Sequence, residues 1–267
     1  MLLFSLIIFF LGLALGSFAN CLIWRLYRQE KISGRSHCPY CQHQLAWYEN
    51  IPLLSYVRLR GRCHYCRQTI AWQYPAVEAA VAILFTFFWF KHLNFSWPDP
   101  ESLATVLGNH NFWLPLLRDF SAVWVLTVVF VFDLRFYLVS TLVVLPASAA
   151  FIILSLLLGV SWLTLLGAIL AAVLFFGLQF ILTRGRGLGE GDIWLGLMLG
   201  ALFPDWSLLI LAILSAYLIG TVVGLSLVAS GNKSWGSKLP LGVFLALGAI
   251  IALAWGPSII SSYWRWF

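Results

Sequence analysis

Residues Val123–Val139 read "VWVLTVVFVFDLRFYLV", and the fold turns on how this stretch is understood. Ten residues with Thr127 as the one polar side chain run straight into Asp133 and Arg135. Extended to roughly 118–138, the run is about 20 residues long, enough for a helix to cross about 30 Å of hydrocarbon. A charged carboxylate near the end of such a helix costs roughly 2.5–3.5 kcal/mol at mid-membrane and less toward the interface, so it implies a partner or a task.

The rest of the chain repeats the pattern. Comparable apolar runs lie at roughly 1–24, 75–91, 140–159, 162–183, 191–204, 206–229 and 240–257. With 61% hydrophobic and 10% charged residues and a mean hydropathy of +0.91, the 267 residues carry more apolar surface than a soluble core can hide. The expected fold is an all-α polytopic membrane protein with about eight transmembrane helices. It divides into a first transmembrane helix (1–24), a cytosolic insert (25–74) and a transmembrane core (75–267). The other long connection, about 91–118, contains "NFSWPDPES" and "LGNHNFW" and is expected to be an outside loop.

Charge sets the orientation. The first run lacks a basic segment before it and is followed by Arg25 and Arg28, which argues against a cleaved signal peptide and keeps the arginines in the cytosol. With both termini outside, 25–74, 184–190, 230–239 and Arg135 lie inside and hold thirteen of the sixteen Lys and Arg residues. The net charge of +6 is then a property of a basic face against anionic lipid, and no nucleic-acid partner is needed to explain it.

Within the insert, "CPYC" and "CHYC" supply Cys38, Cys41, Cys63 and Cys66, with 21 residues between the pairs. Two Cys-x-x-Cys turns can bring four thiolates to tetrahedral distance, which suits a structural zinc ion. The following "CQHQLAW" and "CRQTIAW" look like two copies of one knuckle. Disulfides or a redox dithiol are the alternative, disfavoured in a reducing cytosol. His37, His43 and His64 read as neighbours of a site that four cysteines complete, and Cys21 as a small buried hydrophobe. Metal would hold together a segment with too little apolar mass to fold alone.

Asp192 opens the sixth run in "GEGDIW" (Gly189–Trp194). Because the third run descends to the cytosolic side and the sixth rises from it, Asp133 and Asp192 come to similar depth. Two facing carboxylates share one proton and can act as base and acid on either side of one water. Glycines 187, 189 and 191 leave the backbone before Asp192 bare, and Glu190 suits a solvated helix start rather than catalysis. Pairing of Asp133 with Arg135, or a proton relay in a carrier, are the other uses of such carboxylates. Asn20, Arg25 and Glu78 are polar residues near the cytosolic face, suited either to lining a crevice or to anchoring helices.

Taken in order, "GSFANCLIWRL", the two cysteine pairs, "YPAVE", "FDLRFYLVSTLVVLP", "GLGEGD" and "KLPLGVFLALGA" resemble the type 4 prepilin peptidases over nearly the whole chain. These prepilin leader peptidase/N-methyltransferases are polytopic GxGD aspartic peptidases. The resemblance implies that Asp133, with Pro146 thirteen positions on, and Asp192 are the catalytic pair. It implies zinc on Cys38, Cys41, Cys63 and Cys66, in a bacterial inner membrane protein that serves type IV pili or type II secretion. It also implies cleavage of the basic leader of prepilins or pseudopilins after a glycine at the cytosolic face. Methylation of the new N-terminus with S-adenosylmethionine would follow. Val139-Ser140-Thr141 and Trp194 depart from common family residues, and these departures bear on substrate preference and local acidity. A proton-coupled carrier using the same aspartates and a non-enzymatic, zinc-containing assembly platform are the rival functions.

Overall fold

The structure is a computed structural model that describes residues 2–94, 108, 110–234 and 236–265. It resolves into two compact units, Met1–Leu116 and Leu117–Phe267. Among the described residues the regular structure is helical, apart from two isolated β-bridges.

The first unit is built on α1 (Leu2–Arg28) and α3 (Gln73–His92), which pack side by side. Gly12 and Gly16 lie one turn apart on α1 and face Ala82 and Glu78 of α3. A Cβ added at Gly12 would lie 2.6 Å from the Ala82 Cα, and one at Gly16 2.7 Å from the Glu78 Cα. Backbones this close are the usual device for joining helices in lipid, where hydrophobicity alone gives no attraction. Between them the chain forms two cysteine turns, a 3-10 turn at Trp47–Glu49 and the short α2 (Leu54–Arg58).

Polar residues of α1 and α3 tie this insert down. The Arg25 guanidinium, buried, donates to the carbonyls of Ile32, Gly34 and Arg35, the last two at 2.9 and 3.2 Å. Asn20 Nδ2 donates to the Tyr74 carbonyl at 3.1 Å, and the buried Glu78 carboxylate accepts the Leu53 N–H at 2.8 Å. All three serve as anchors of backbone rather than as an open crevice. Cys21 is half-buried, less enclosed than its sequence position suggests.

The second unit contains most of α4 (His110–Phe136), then α5 (Thr141–Leu157), α6 (Trp162–Thr183), α7 (Glu190–Leu202), α8 (Trp206–Ala229) and α9 (Leu241–Trp264). Each apolar run is therefore a helix, but among the described residues six helices are long and apolar enough to span a bilayer. The other two, α5 and α7, have 17 and 13 residues, about 25 and 20 Å at 1.5 Å per residue. Neighbours explain how so short a helix as α7 is tolerated. It packs against both α5 and α6, and from Leu195 to Leu202 every residue except Leu197 is buried.

Half of the connection expected at 91–118, residues 95–107 and 109, lies outside the described residues. Where it is described it differs from a loop, since α4 already includes Asn111–Arg118. A helix is free to project beyond the hydrocarbon into the polar interface, so its ends need not coincide with those of the apolar run.

Candidate active site and metal centre

The four cysteines converge. One sulfur from each of Cys38, Cys41, Cys63 and Cys66 lies within 4.8 Å of the others, and the Cys38 and Cys66 sulfurs are 3.9 Å apart. Bonds of about 2.3 Å to a tetrahedral zinc place sulfurs about 3.8 Å apart, whereas a disulfide needs about 2.05 Å. All are free thiols, so the geometry fits a metal and not a disulfide.

The two knuckles are copies in backbone as well as sequence. Cys38 N–H donates to the His43 carbonyl at 3.0 Å, and Cys63 N–H to the Gln68 carbonyl at 2.8 Å. Each turn closes through a residue of positive φ four places after its first cysteine, Gln42 and Arg67, both at 59°. The β-bridges His37–Gln44 and Arg62–Thr69 repeat at the same offset. Burial pushes the Cys38 thiol up to about 11. Burial also acts upward on Cys63, but hydrogen bonds from the Cys66 and Tyr65 backbone outweigh it and bring the thiol down to about 7. The histidines are spent elsewhere: His43 stacks on Tyr65 with ring centres 3.5 Å apart, and His37 Nε2 lies 3.7 Å from Glu30.

In the second unit, Asp133 and Asp192 line one cavity of about 840 Å³ and lie within electrostatic reach of each other. Both are buried, at 5% and 9% exposure, deep enough that an unpartnered charge would be costly. Each carboxylate instead accepts N–H groups at the start of a helix, where unpaired donors point outward. Asp192 Oδ2 accepts the Gly189 N–H at 2.9 Å, reaching back to the N-cap backbone of its own helix α7. Asp133 Oδ2 accepts the Val243 N–H at 3.2 Å from the first turn of α9, 110 residues away. Among the described residues Asp133 forms no ion pair with Arg135, which is exposed.

Two glycines set these distances. A Cβ at Gly242 would lie 2.8 Å from Asp133 Oδ2, and a Cβ at Gly191 would lie 2.6 Å from the Val139 Cβ. Gly189, by contrast, is open, with nothing nearer than 3.9 Å. Glu190 is exposed at the helix start, as its sequence position suggested.

Sequence reasoning did not assign three further features of this cavity. The Pro240–Val243 segment supplies the donor to Asp133. Lys233 lies 5.6 Å over the Tyr137 ring and donates to the Lys238 carbonyl at 2.9 Å. Tyr217 donates its hydroxyl to Gln179 Oε1 at 2.8 Å. A polar pair on two apolar helices was the available signal for the last.

Comparison with known proteins accords with this layout. Residues 10–92 match the Bacterial Peptidase A24 N-terminal domain, and residues 120–225 match the Type IV leader peptidase family. A prepilin leader peptidase/N-methyltransferase of Legionella pneumophila is 30% identical over 94% of this chain and 91% of its own length. The chain belongs to the type IV leader peptidase family. Other members of this family with the same description are similar across the chain. That of Aeromonas hydrophila is 31% identical over 98% of this chain and 92% of its own. That of Myxococcus xanthus (strain DK1622) is 36% identical over 86% of this chain and 65% of its own. No solved structure matches. Membership identifies the chain as a multi-pass membrane protein of a peptidase family.

Proposed function

We propose that this protein is a membrane aspartic endopeptidase that removes the basic leader of type 4 prepilins or pseudopilins, and that Asp133 and Asp192 are its catalytic pair. The observation that carries the proposal is the convergence of two buried carboxylates, from different helices, on one cavity whose mouth is lined by loops. One carboxylate takes a proton from a water as the water oxygen attacks the scissile carbonyl carbon. The other gives its proton to the carbonyl oxygen, and collapse of the tetrahedral species breaks the C–N bond as the amine is protonated. The N–H donors at Gly189 and Val243 hold the two carboxylates in place through this exchange.

The enzyme sits in the bacterial inner membrane with both termini outside and the insert cytosolic, consistent with the charge asymmetry. Zinc on Cys38, Cys41, Cys63 and Cys66 supplies a structural cross-link between the two knuckles, and needs no open coordination position. After cleavage the same protein N-methylates the new terminus with S-adenosylmethionine. This second activity is supported by the relatives' description, since neither the cavity nor the cysteine cluster presents a donor set particular to that cofactor.

The test is Asp133→Asn and Asp192→Asn in membranes, scoring leader loss and incorporation of a labelled methyl group separately. Each variant is expected to lose roughly a thousandfold in cleavage. Full processing by either correctly inserted variant rejects the catalytic pair.

A further inference from the structure

The cavity extends well beyond the aspartates. Its wall follows α8 from Val228 to Tyr217, about 11 residues or about 17 Å, more than half the hydrocarbon thickness. Loops carrying Arg186, Lys233 and Lys238 form one end, while Tyr217 stands at the other, helical end, within electrostatic reach of Asp192. Tyr217 is half-buried.

The hydrogen-bond direction at Tyr217 is fixed by its neighbour. Gln179 Nε2 donates to the Phe175 carbonyl of its own helix at 3.3 Å, leaving Oε1 to receive the Tyr217 proton at 2.8 Å. The Phe175 ring packs edge-on against Tyr217, centroids 6.0 Å apart, and steadies it. The phenol's one O–H is thus committed to Gln179, and its oxygen retains acceptor capacity. Thr221, one turn nearer the loops, donates its hydroxyl back to the Tyr217 carbonyl at 2.7 Å.

An apolar substrate segment presents the complementary need. Exposing a peptide bond for hydrolysis unwinds the local helix and frees backbone N–H groups. In a site at membrane depth each unsatisfied group costs several kcal/mol.

We propose that Tyr217 is a substrate-binding residue whose phenolic oxygen, held by Gln179, accepts a backbone N–H freed on the mature side of the cleaved bond. The assignment of side rests on the peptidase function proposed above, in which the basic leader stays at the cytosolic loops and the apolar segment enters the membrane end.

The experiment uses the full-length enzyme in bilayer discs and a synthetic prepilin peptide. A matched series carries one ester in place of one backbone amide at successive mature-side positions, the scissile amide being kept. With wild-type enzyme, one ester position is expected to lower kcat/KM roughly three- to tenfold, the share of a single hydrogen bond. In Tyr217→Phe the all-amide peptide falls by a similar factor and that ester brings no further loss. An equal ester penalty in both enzymes, or no sensitive position in wild type, overturns the proposal. Should Tyr217→Phe fail to insert, Tyr217→Trp, whose indole N–H is a donor only, is expected to abolish the ester penalty; an unchanged penalty overturns the proposal equally. If wild type leaves the all-amide parent uncut, the peptidase function falls and the Tyr217 assignment with it. A cut parent with no Tyr217-dependent position removes the assignment alone.

Discussion

At the scale of single residues, the proposed catalytic pair depends on what does not stand beside it. Gly242 allows the first turn of α9 to reach Asp133, since a methyl there would sit 2.8 Å from Oδ2. Gly242→Ala is therefore expected to lower kcat for leader cleavage roughly tenfold to a hundredfold while the protein inserts normally, as a displacement of about 1 Å can cost that much. Steady-state cleavage at matched enzyme levels measures it. Gly191 and Val139 form a second such contact, with 2.6 Å available between the Val139 Cβ and an added Cβ. Gly191→Ala should impair the enzyme, and Val139→Ala in the same chain should recover part of the loss, because the pair shares one space. Neither contact is legible in sequence. "GEGD" advertises Asp192 and its glycines, but nothing in "KLPLGV" says that its backbone N–H belongs to an aspartate 110 residues earlier.

At the scale of elements, the cysteine knuckles were almost wholly legible, because Cys-x-x-Cys spacing and the repeated flanking residues encode a local backbone. The structure adds that both turns use the same positive-φ position and the same closing hydrogen bond. Four converging thiols at the spacing of a metal site predict a clear response to loss of the ion. Purified protein should contain about one zinc per chain, and Cys38→Ser or Cys63→Ser should lose it. Proteolysis should then cut within residues 29–72 while α1 and α3 remain protected, their Gly12 and Gly16 contacts being independent of the metal. Intact metal content in both variants would contradict the four-thiolate site. Because every ligand must shed its proton, zinc affinity should fall as pH is lowered, which a competition titration with a chelator measures.

At the scale of the whole molecule, the proposed topology, which puts thirteen of the sixteen basic residues on one side, has a test of its own. After chelation, a membrane-impermeant thiol reagent should modify the exposed Cys41 and Cys66 in inside-out vesicles and leave them untouched in intact spheroplasts. Labelling from the outside would reverse the topology. Composition and run length by themselves determined that this is a helical membrane protein, which runs become helices, and where four cysteines would gather. Those properties follow from interactions within a segment: hydropathy summed along a helix, or two cysteine pairs, each spaced by two residues, within one short insert. Only the tertiary structure decided that α7 is a short helix sheltered by α5 and α6, that an α9 N–H serves Asp133, and that Tyr217 closes on Gln179. The reason is physical. In lipid nearly every apolar face is equally acceptable to the solvent, so hydropathy leaves open which faces meet, and close packing and unsatisfied hydrogen bonds make that choice.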